Sequence, residues 1–356
     1  MVSSGSAQSF SVIPEMSLRG WTAASTDRVA FARKITRICH EVGFFSLVDH
    51  DVPDEFLDRY FGVMEAFFAL PEHDKATIDK RNSPHMRGWE RVGAELTDNR
   101  TDYREQLDVS TENPTYGHDV EPAYLRLDGP NQWPAESLLP GFRATVEEFF
   151  SRLGGVADQL MAAMSLGLGL DEDHLGQLFG ERPLSFVKLI SYPPSPPGEA
   201  GVNAHHDAGF LTVLVQRGVG GLQVQNPAGQ WIDVPPRPGA FVVNLGEMLQ
   251  AITGNYFVAT THRVITAEAR LSSGYFHGPD LRTRLDPLEL DPRFAAAVAA
   301  SPRHAAAGFM AQREELIGGH GGIASESAPV FGQQMWNYYL RSYPGHIRAH
   351  YPDLAV

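Results

Sequence analysis

Cysteine occurs once in the chain, at Cys39. That excludes an intramolecular disulfide and suits a reducing compartment, so a cytoplasmic location is expected. Lysine occurs only at positions 34, 75, 80 and 188. The other basic residues are arginine, which reflects compositional bias rather than a function. Basic charge falls short overall, with a formal net charge of −14. No basic stripe offsets it, so a nucleic-acid backbone is excluded as a partner. No apolar run approaches the ~20 residues that span a bilayer, so no membrane partner is expected. The N-terminus lacks a charged segment followed by an apolar one, so no secretory signal is evident.

Several motifs are missing as well. There is no H-E-x-x-H and no C-x-x-C, which removes the common zinc hydrolase and structural zinc readings. There is no G-x-x-x-x-G-K-[ST], and Gly167-Leu168-Gly169 lacks the third glycine of a dinucleotide fingerprint. No internal repeat appears, and no linker is long enough to separate independent domains.

What remains is an ordinary globular composition, 43% hydrophobic and 20% charged in 356 residues, enough to bury a sizeable core. After a short extended piece from Phe10 to Pro14, Phe31, Ile35, Ile38 and Val42 recur at helical spacing, predicting a helix from Thr26 to Val42 that Gly43 ends. Phe44 to Val48 reads as a buried strand. Phe56, Tyr60, Phe61, Met64 and Phe67 mark one face of a helix from Asp54 to Ala69, an aromatic stripe read as core. Residues 76 to 140 are rich in Pro, Asn, Asp and Gly and carry little periodicity. Phe142, Val146, Phe149, Leu153, Val156, Leu160 and Met164 then define a long amphipathic helix from Pro140 to Gly167, suited to brace the outside of a barrel.

A β core follows from Leu184. Ser185 to Tyr192 alternates until a proline-rich break. Gly220-Gly221 turns between strands Leu211 to Val215 and Leu222 to Val224, and Pro238-Gly239 precedes another strand at Phe241 to Val243. Beyond Pro279 the chain becomes helical and loop-like. Arg293 to Ala307 is alanine-rich, Gly318 to Gly322 reads as a hinge or tip, and Gln333 to Tyr343 as a last helix or extended tail. Whether residues 302–330 form a lid is left open.

The chemistry concentrates between Asn203 and Ser272. His205 and Asp207 sit two apart, so on an extended strand both side chains leave the same face. His206 between them should point away. His262 follows 55 residues after Asp207, enough chain to cross a sheet several times and return. Two imidazoles and a carboxylate on one face of a metal form the pattern of non-haem Fe(II) oxygenases. His50 reads as a turn histidine, and His277 as structural or at a pocket rim.

Order and spacing carry the pattern further. His205-x-Asp207, Gly220-Gly221-Leu222-Gln223-Val224, Pro238-Gly239-Ala240, Val243-Asn244-Leu245-Gly246, His262-Arg263-Val264 and Arg270-x-Ser272 stand in a sequence that resembles the isopenicillin N synthase-like branch of Fe(II)/2-oxoglutarate-dependent oxygenases. The resemblance covers most of the chain, from about Ile13 to Pro279. The segment after Gly43 resembles that family's N-terminal module, with Asp51 where a glycine is usual. Arg87-Gly88-Trp89 and Asp102 to Asp108 resemble segments that line one side of the pocket. A surface loop with a packed tryptophan is the other reading of those two segments.

The resemblance implies an α+β fold: a double-stranded β-helix, or jelly-roll, core with an N-terminal helical layer and a C-terminal helical cap. The expected division is 10–183 for the N-terminal module, 184–285 for the oxygenase core and 286–356 for the cap. It implies Fe(II) held by His205, Asp207 and His262, with 2-oxoglutarate and O2 as cosubstrates, and CO2 and succinate as coproducts. Arg270 offers a planar fork for the distal carboxylate of the 2-oxo acid, Ser272 adds a hydroxyl, and Tyr192 resembles a family tyrosine that touches it. Arg270 lies eight residues after His262, so a strand is expected to carry it from the metal to the pocket floor. Because Asp207 is present, a halide position is not open, and hydroxylation, desaturation or ring formation is expected of a small-molecule substrate. Lys188 and Arg341 are the candidate substrate cations, which would suit a carboxylate-bearing substrate. Two other functions stay open at this stage: an Fe(II) oxidase that uses O2 without 2-oxoglutarate, and a non-catalytic β-barrel binding protein.

Overall fold

The computed structural model describes residues 9–22, 25–97, 100–196, 199–305 and 329–352. The helix Ser25–Glu41 buries Phe31, Ile35 and Ile38 as the spacing predicts. It stops because Gly43 takes φ 72°, and a Cβ there would stand 2.1 Å from the Val258 carbonyl oxygen. Only glycine fits that approach. The helix Asp54–Phe68 buries the five residues of its aromatic stripe, and Tyr60 stacks on Phe149 of the helix Phe142–Gly167 at 3.8 Å.

In chain order the strands are β1 (Glu15–Ser17), β2 (Phe44–Val48), β3 (Gly88–Glu90), β4 (Leu96–Thr97), β5 (Arg100–Thr101), β6 (Glu105–Ser110) and β7 (Phe186–Tyr192). Then come β8 (Val202–His205), β9 (Leu211–Arg217), β10 (Leu222–Gln225), β11 (Trp231–Asp233), β12 (Phe241–Leu245), β13 (His262–Val264) and β14 (Arg270–His277). The major sheet runs β1-β2-β12-β9-β14-β7-β6-β3 and the minor sheet β11-β10-β13-β8. Apart from the β1–β2 pair, these pairings are antiparallel. Gly220-Gly221 therefore passes the chain from one sheet to the other.

Period-two alternation divides the major sheet. Leu107, Val187, Leu189, Val213, Val215, Val243 and Tyr275 face the helical layer in one core cluster. Phe44, Ile190, Tyr192 and Val242 face the minor sheet, where they meet Val202, Leu222, Val224 and Val264 in a second cluster. The space between the two sheets is the interior of a double-stranded β-helix.

Residues 76 to 140, for all their weak periodicity, contribute β3 and β6 to the major sheet. One expectation needed correction. Arg270 does not share a strand with His262: β13 lies in the minor sheet and β14 in the major one, so the residues approach the interior from opposite walls. The alanine-rich stretch forms the helices Pro292–Ala300 and Pro302–Ala305, and the last predicted helix is Phe331–Ser342. Gly318 to Gly322 and most of 302–330 lie outside the described residues. Among the described residues, no helix is long and apolar enough to cross a membrane.

Candidate metal and cosubstrate site

His205 ends β8 and His262 begins β13, and the two are paired in register. Their rings lie 4.2 Å apart between centroids. Asp207 follows just beyond the end of β8, where the Glu247 amide donates to its carbonyl at 2.8 Å. That anchor requires close backbone approach. A Cβ on Gly246 would stand 2.1 Å from the Gly209 carbonyl oxygen.

The ligating atoms are preset by their other contacts. The Nδ1 of His205 lies 2.8 Å from the Asn203 carbonyl, and that of His262 lies 3.1 Å from the Thr260 carbonyl. A carbonyl only accepts, so each Nδ1 carries the proton and each Nε2 keeps its lone pair free. Thr212 and Asn244 both donate to Oδ2 of Asp207, at 2.5 and 2.6 Å. Oδ1 lies 3.6 Å from the Nε2 atoms of both histidines. One ligand atom from each of the three residues thus falls within 4.8 Å of the others. Two neutral imidazole nitrogens and one carboxylate oxygen fit Fe(II) and leave a face open.

The charges of Asp207 and His262 agree with that geometry, whereas at His205 burial lowers the pKa but the adjacent Asp207 carboxylate outweighs it and raises the imidazole above its ordinary value. Burial opposes ionisation of Asp207, but His262, His205 and the Thr212 hydroxyl together hold its carboxyl well below the usual range. Burial, reinforced by His205, brings His262 down to about 4, so it is neutral at pH 7. His206 turns outward, with Nε2 2.9 Å from the Thr261 hydroxyl and Nδ1 3.5 Å from Glu247.

A cavity, part of it open to solvent, runs from these ligands to Arg270 and Ser272. Arg270 donates through Nη1 to Ser272 at 2.8 Å and through Nη2 to Gln216 at 2.9 Å. Its guanidinium lies 4.8 Å over the Tyr192 ring. Its Nε is buried with no protein partner among the described residues. A buried cation with a donor to spare at the far end of the cavity fits the distal carboxylate of a 2-oxo acid.

Other expected residues fall in different places. Lys188 faces inward, but its ammonium is held 3.2 Å from Asp108 and 3.5 Å from Glu95. Arg341 is exposed near the end of its helix and interacts electrostatically with Glu247. His277 is structural: it stacks on Phe179 at 3.9 Å and meets the Tyr275 hydroxyl at 3.1 Å. His50 stacks on Phe241 at 3.6 Å. Asp51 sits at φ 57°, the left-handed region that makes glycine usual at such a position. Thr212 and Gln216 carry no signal in the sequence that points to the site, whereas Arg104 lies in the segment Asp102 to Asp108, whose resemblance put it on one side of the pocket, and it does line the cavity. Asn244 stands inside a quoted motif without a role of its own.

Comparison with known proteins agrees with the geometry. Residues 183–279 match the family model described as the 2OG-Fe(II) oxygenase superfamily, and residues 13–136 match the non-haem dioxygenase N-terminal region. A 2-oxoglutarate-dependent dioxygenase of Dothideomycetidae sp. is 36% identical over 259 residues, which is 70% of this chain and 69% of that protein. The chain belongs to the 2OG-Fe(II) oxygenase superfamily.

Homoarginine-6-hydroxylase of Glycine max is 34% identical over 271 residues, 72% of this oxygenase and 80% of that protein. Among solved structures, a full-length Neurospora crassa protein in complex with alpha-KG superposes with a TM-score of 0.68 at 25% identity. That match covers 78% of this chain and 89% of the other. The same Neurospora protein has also been solved with alpha-KG and thymine. This oxygenase is therefore an Fe(II)- and 2-oxoglutarate-dependent dioxygenase of small molecules, with O2 as cosubstrate. The oxidase without 2-oxoglutarate and the non-catalytic binding protein are not favoured.

Proposed function

We propose that His205, Asp207 and His262 hold the iron, that Arg270 and Ser272 anchor the distal carboxylate of 2-oxoglutarate, and that Tyr192 flanks it. The observation that carries this reading is the cavity itself, with three metal-directed donors at one end and a buried, under-partnered guanidinium at the other. Bound Fe(II) and 2-oxoglutarate supply the oxidant, with CO2 and succinate as coproducts. The chain's own residues bind and orient. Thr212 and Asn244 fix which oxygen of Asp207 faces the metal. Ser272 and Gln216 hold the Arg270 fork in place, and Phe44, packed edge-on to His262 at 5.1 Å, helps exclude water.

The substrate in this reading is a small molecule bearing a carboxylate, met by Arg341, which interacts electrostatically with Glu247. Lys188 serves the substrate region as part of a charged wall rather than as a free cation. The division into 10–183, 184–285 and 286–356 belongs to the same proposal. So does the cytoplasm, which suits the single buried Cys39.

Oxygen uptake by the Fe(II) protein, with and without 2-oxoglutarate, tests the reading, followed by a screen of candidate substrates for succinate formation. Uptake that depends on 2-oxoglutarate supports it. Uptake undiminished when 2-oxoglutarate is withheld contradicts it.

A further inference from the structure

The inner face of the major sheet does not stop at the cosubstrate cavity. Beyond β7 it continues onto β6 and β3, and there the inward side chains are polar and charged. Gln106 stands opposite Ile190, which lines the cavity, and Asp108 stands opposite Lys188. Glu90 stands opposite Gln106. Lys80 reaches Glu90 at 2.7 Å and Asp108 at 2.6 Å. Lys188 bridges Asp108 and Glu95, and Arg104 lies 2.5 Å from Glu95 and 3.3 Å from Asp102.

Through these contacts three cations meet four carboxylates, one formal negative charge in excess. None of the seven side chains is more than 9% exposed. Tyr338 and Tyr343, from the C-terminal helix and its end, donate to Glu95 at 2.7 Å and Glu90 at 3.3 Å and roof the network.

Two acceptors and one donor, Arg104 Nε, are nevertheless left over among the described residues. Gln106 Oε1 and Asp108 Oδ1 are buried without a partner among the described residues. Unpaired acceptors and an uncompensated carboxylate are costly away from water unless a donor-bearing cation joins them. Arg104 belongs both to this network and to the cavity wall that includes His205, so the charged face abuts the metal side of the cavity.

We propose that this network is a primary-substrate subsite that takes a cationic head group, an ammonium or guanidinium, received by Gln106 Oε1 and Asp108 Oδ1. The proposal rests on the reading of the neighbouring cavity as the iron and 2-oxoglutarate site. Fixing the head group there directs the rest of the molecule past Arg104 toward the metal ligands. A guanidinium offers five donors in a planar fork and an ammonium three, so either answers the two free acceptors.

The test uses the full chain loaded anaerobically with Fe(II) and 2-oxoglutarate. It is titrated calorimetrically with L-homoarginine, L-arginine, L-lysine and L-citrulline, which shares the α-ammonium of the other three but carries a neutral ureido side chain, so that the comparison reads the side-chain head group alone, while the charge-transfer absorption of the 2-oxoglutarate complex is followed. At least one cationic compound should bind tenfold or more tightly than citrulline, and arginine against lysine separates guanidinium from ammonium. Asp108→Asn keeps the shape, removes the excess charge and should weaken cation binding at least tenfold without moving the 2-oxoglutarate titration. Equal binding of all four compounds, or binding of none while the absorption band forms normally, overturns the subsite and leaves the iron and 2-oxoglutarate reading standing. Failure of the band in wild type overturns both. Should Asp108→Asn fail to fold, the wild-type preference for a cation over citrulline decides alone.

Discussion

The Nδ2 of Asn244 donates to Oδ2 of Asp207 at 2.6 Å, and this bond, with that from Thr212, decides which carboxylate oxygen is left to face the histidines. Groups that orient a metal ligand are typically worth about 10–100-fold in metal affinity. Asn244→Ala should therefore weaken Fe(II) binding by about that factor, measured anaerobically by chelator competition. Wild-type affinity in the variant would remove Asn244 from the positioning role.

Loss of a ligand should act more sharply. Asp207→Ala and His262→Ala should each purify without stoichiometric iron and lose turnover while keeping the near-ultraviolet circular dichroism of the folded protein. Asp207→Ala also strands the Thr212 and Asn244 donors, at a cost of about 1–3 kcal/mol each, so it should be the less stable of the two. Near wild-type product formation by Asp207→Ala would refute the ligand assignment.

Backbone packing sets the position of Asp207 as firmly as side chains do. Gly246→Ala places a Cβ 2.1 Å from the Gly209 carbonyl oxygen, whereas Gly155, within the helix Phe142–Gly167, has nothing within 4 Å of its would-be Cβ. Gly246→Ala should lower the melting temperature and weaken Fe(II) binding together. Gly155→Ala should leave Fe(II) binding unchanged and stabilise the fold by about 0.5–1 kcal/mol, the usual gain in a helix interior. Equal melting temperatures for the two variants would contradict the close-approach argument.

These contrasts also explain what could be read in advance. His205, Asp207 and His262 were legible because their types and order state the chemistry. The helices and the strands flanking the barrel were legible because residues such as Phe56, Tyr60 and Val243 repeat at the period of their element. β6 was not, since its inward residues Gln106 and Asp108 are polar and charged and break the apolar alternation. Their partners Lys80 and Glu95, and Tyr338, which donates to Glu95, come from remote segments that no local pattern connects. Lys188 stands four residues before Tyr192 on β7, and alternation puts both on one face. Alternation says nothing of charge partners, so the pairing of Lys188 with Asp108 and Glu95 could not be foreseen. Asp207 lies beyond the strand end, and the backbone bond from Glu247 that holds it is likewise invisible in sequence.

The account stands most directly on Arg270 as the cosubstrate anchor. Removing one partner of a buried charge pair typically costs about 2–5 kcal/mol, and ~1.4 kcal/mol corresponds to tenfold. Arg270→Ala should thus weaken 2-oxoglutarate binding by roughly 30-fold or more. Ser272→Ala, which removes one bond to a charged group worth about 1.5–3 kcal/mol, should do less. Iron binding should persist in both, because neither residue is among the metal-directed donors. The measurement is an anaerobic titration of the Fe(II) protein with 2-oxoglutarate, following the metal-to-ligand charge-transfer absorption. The account predicts a saturable band in wild type that shifts to far higher 2-oxoglutarate concentration in Arg270→Ala; a variant that binds as tightly as wild type, or a wild type with no band, would contradict it.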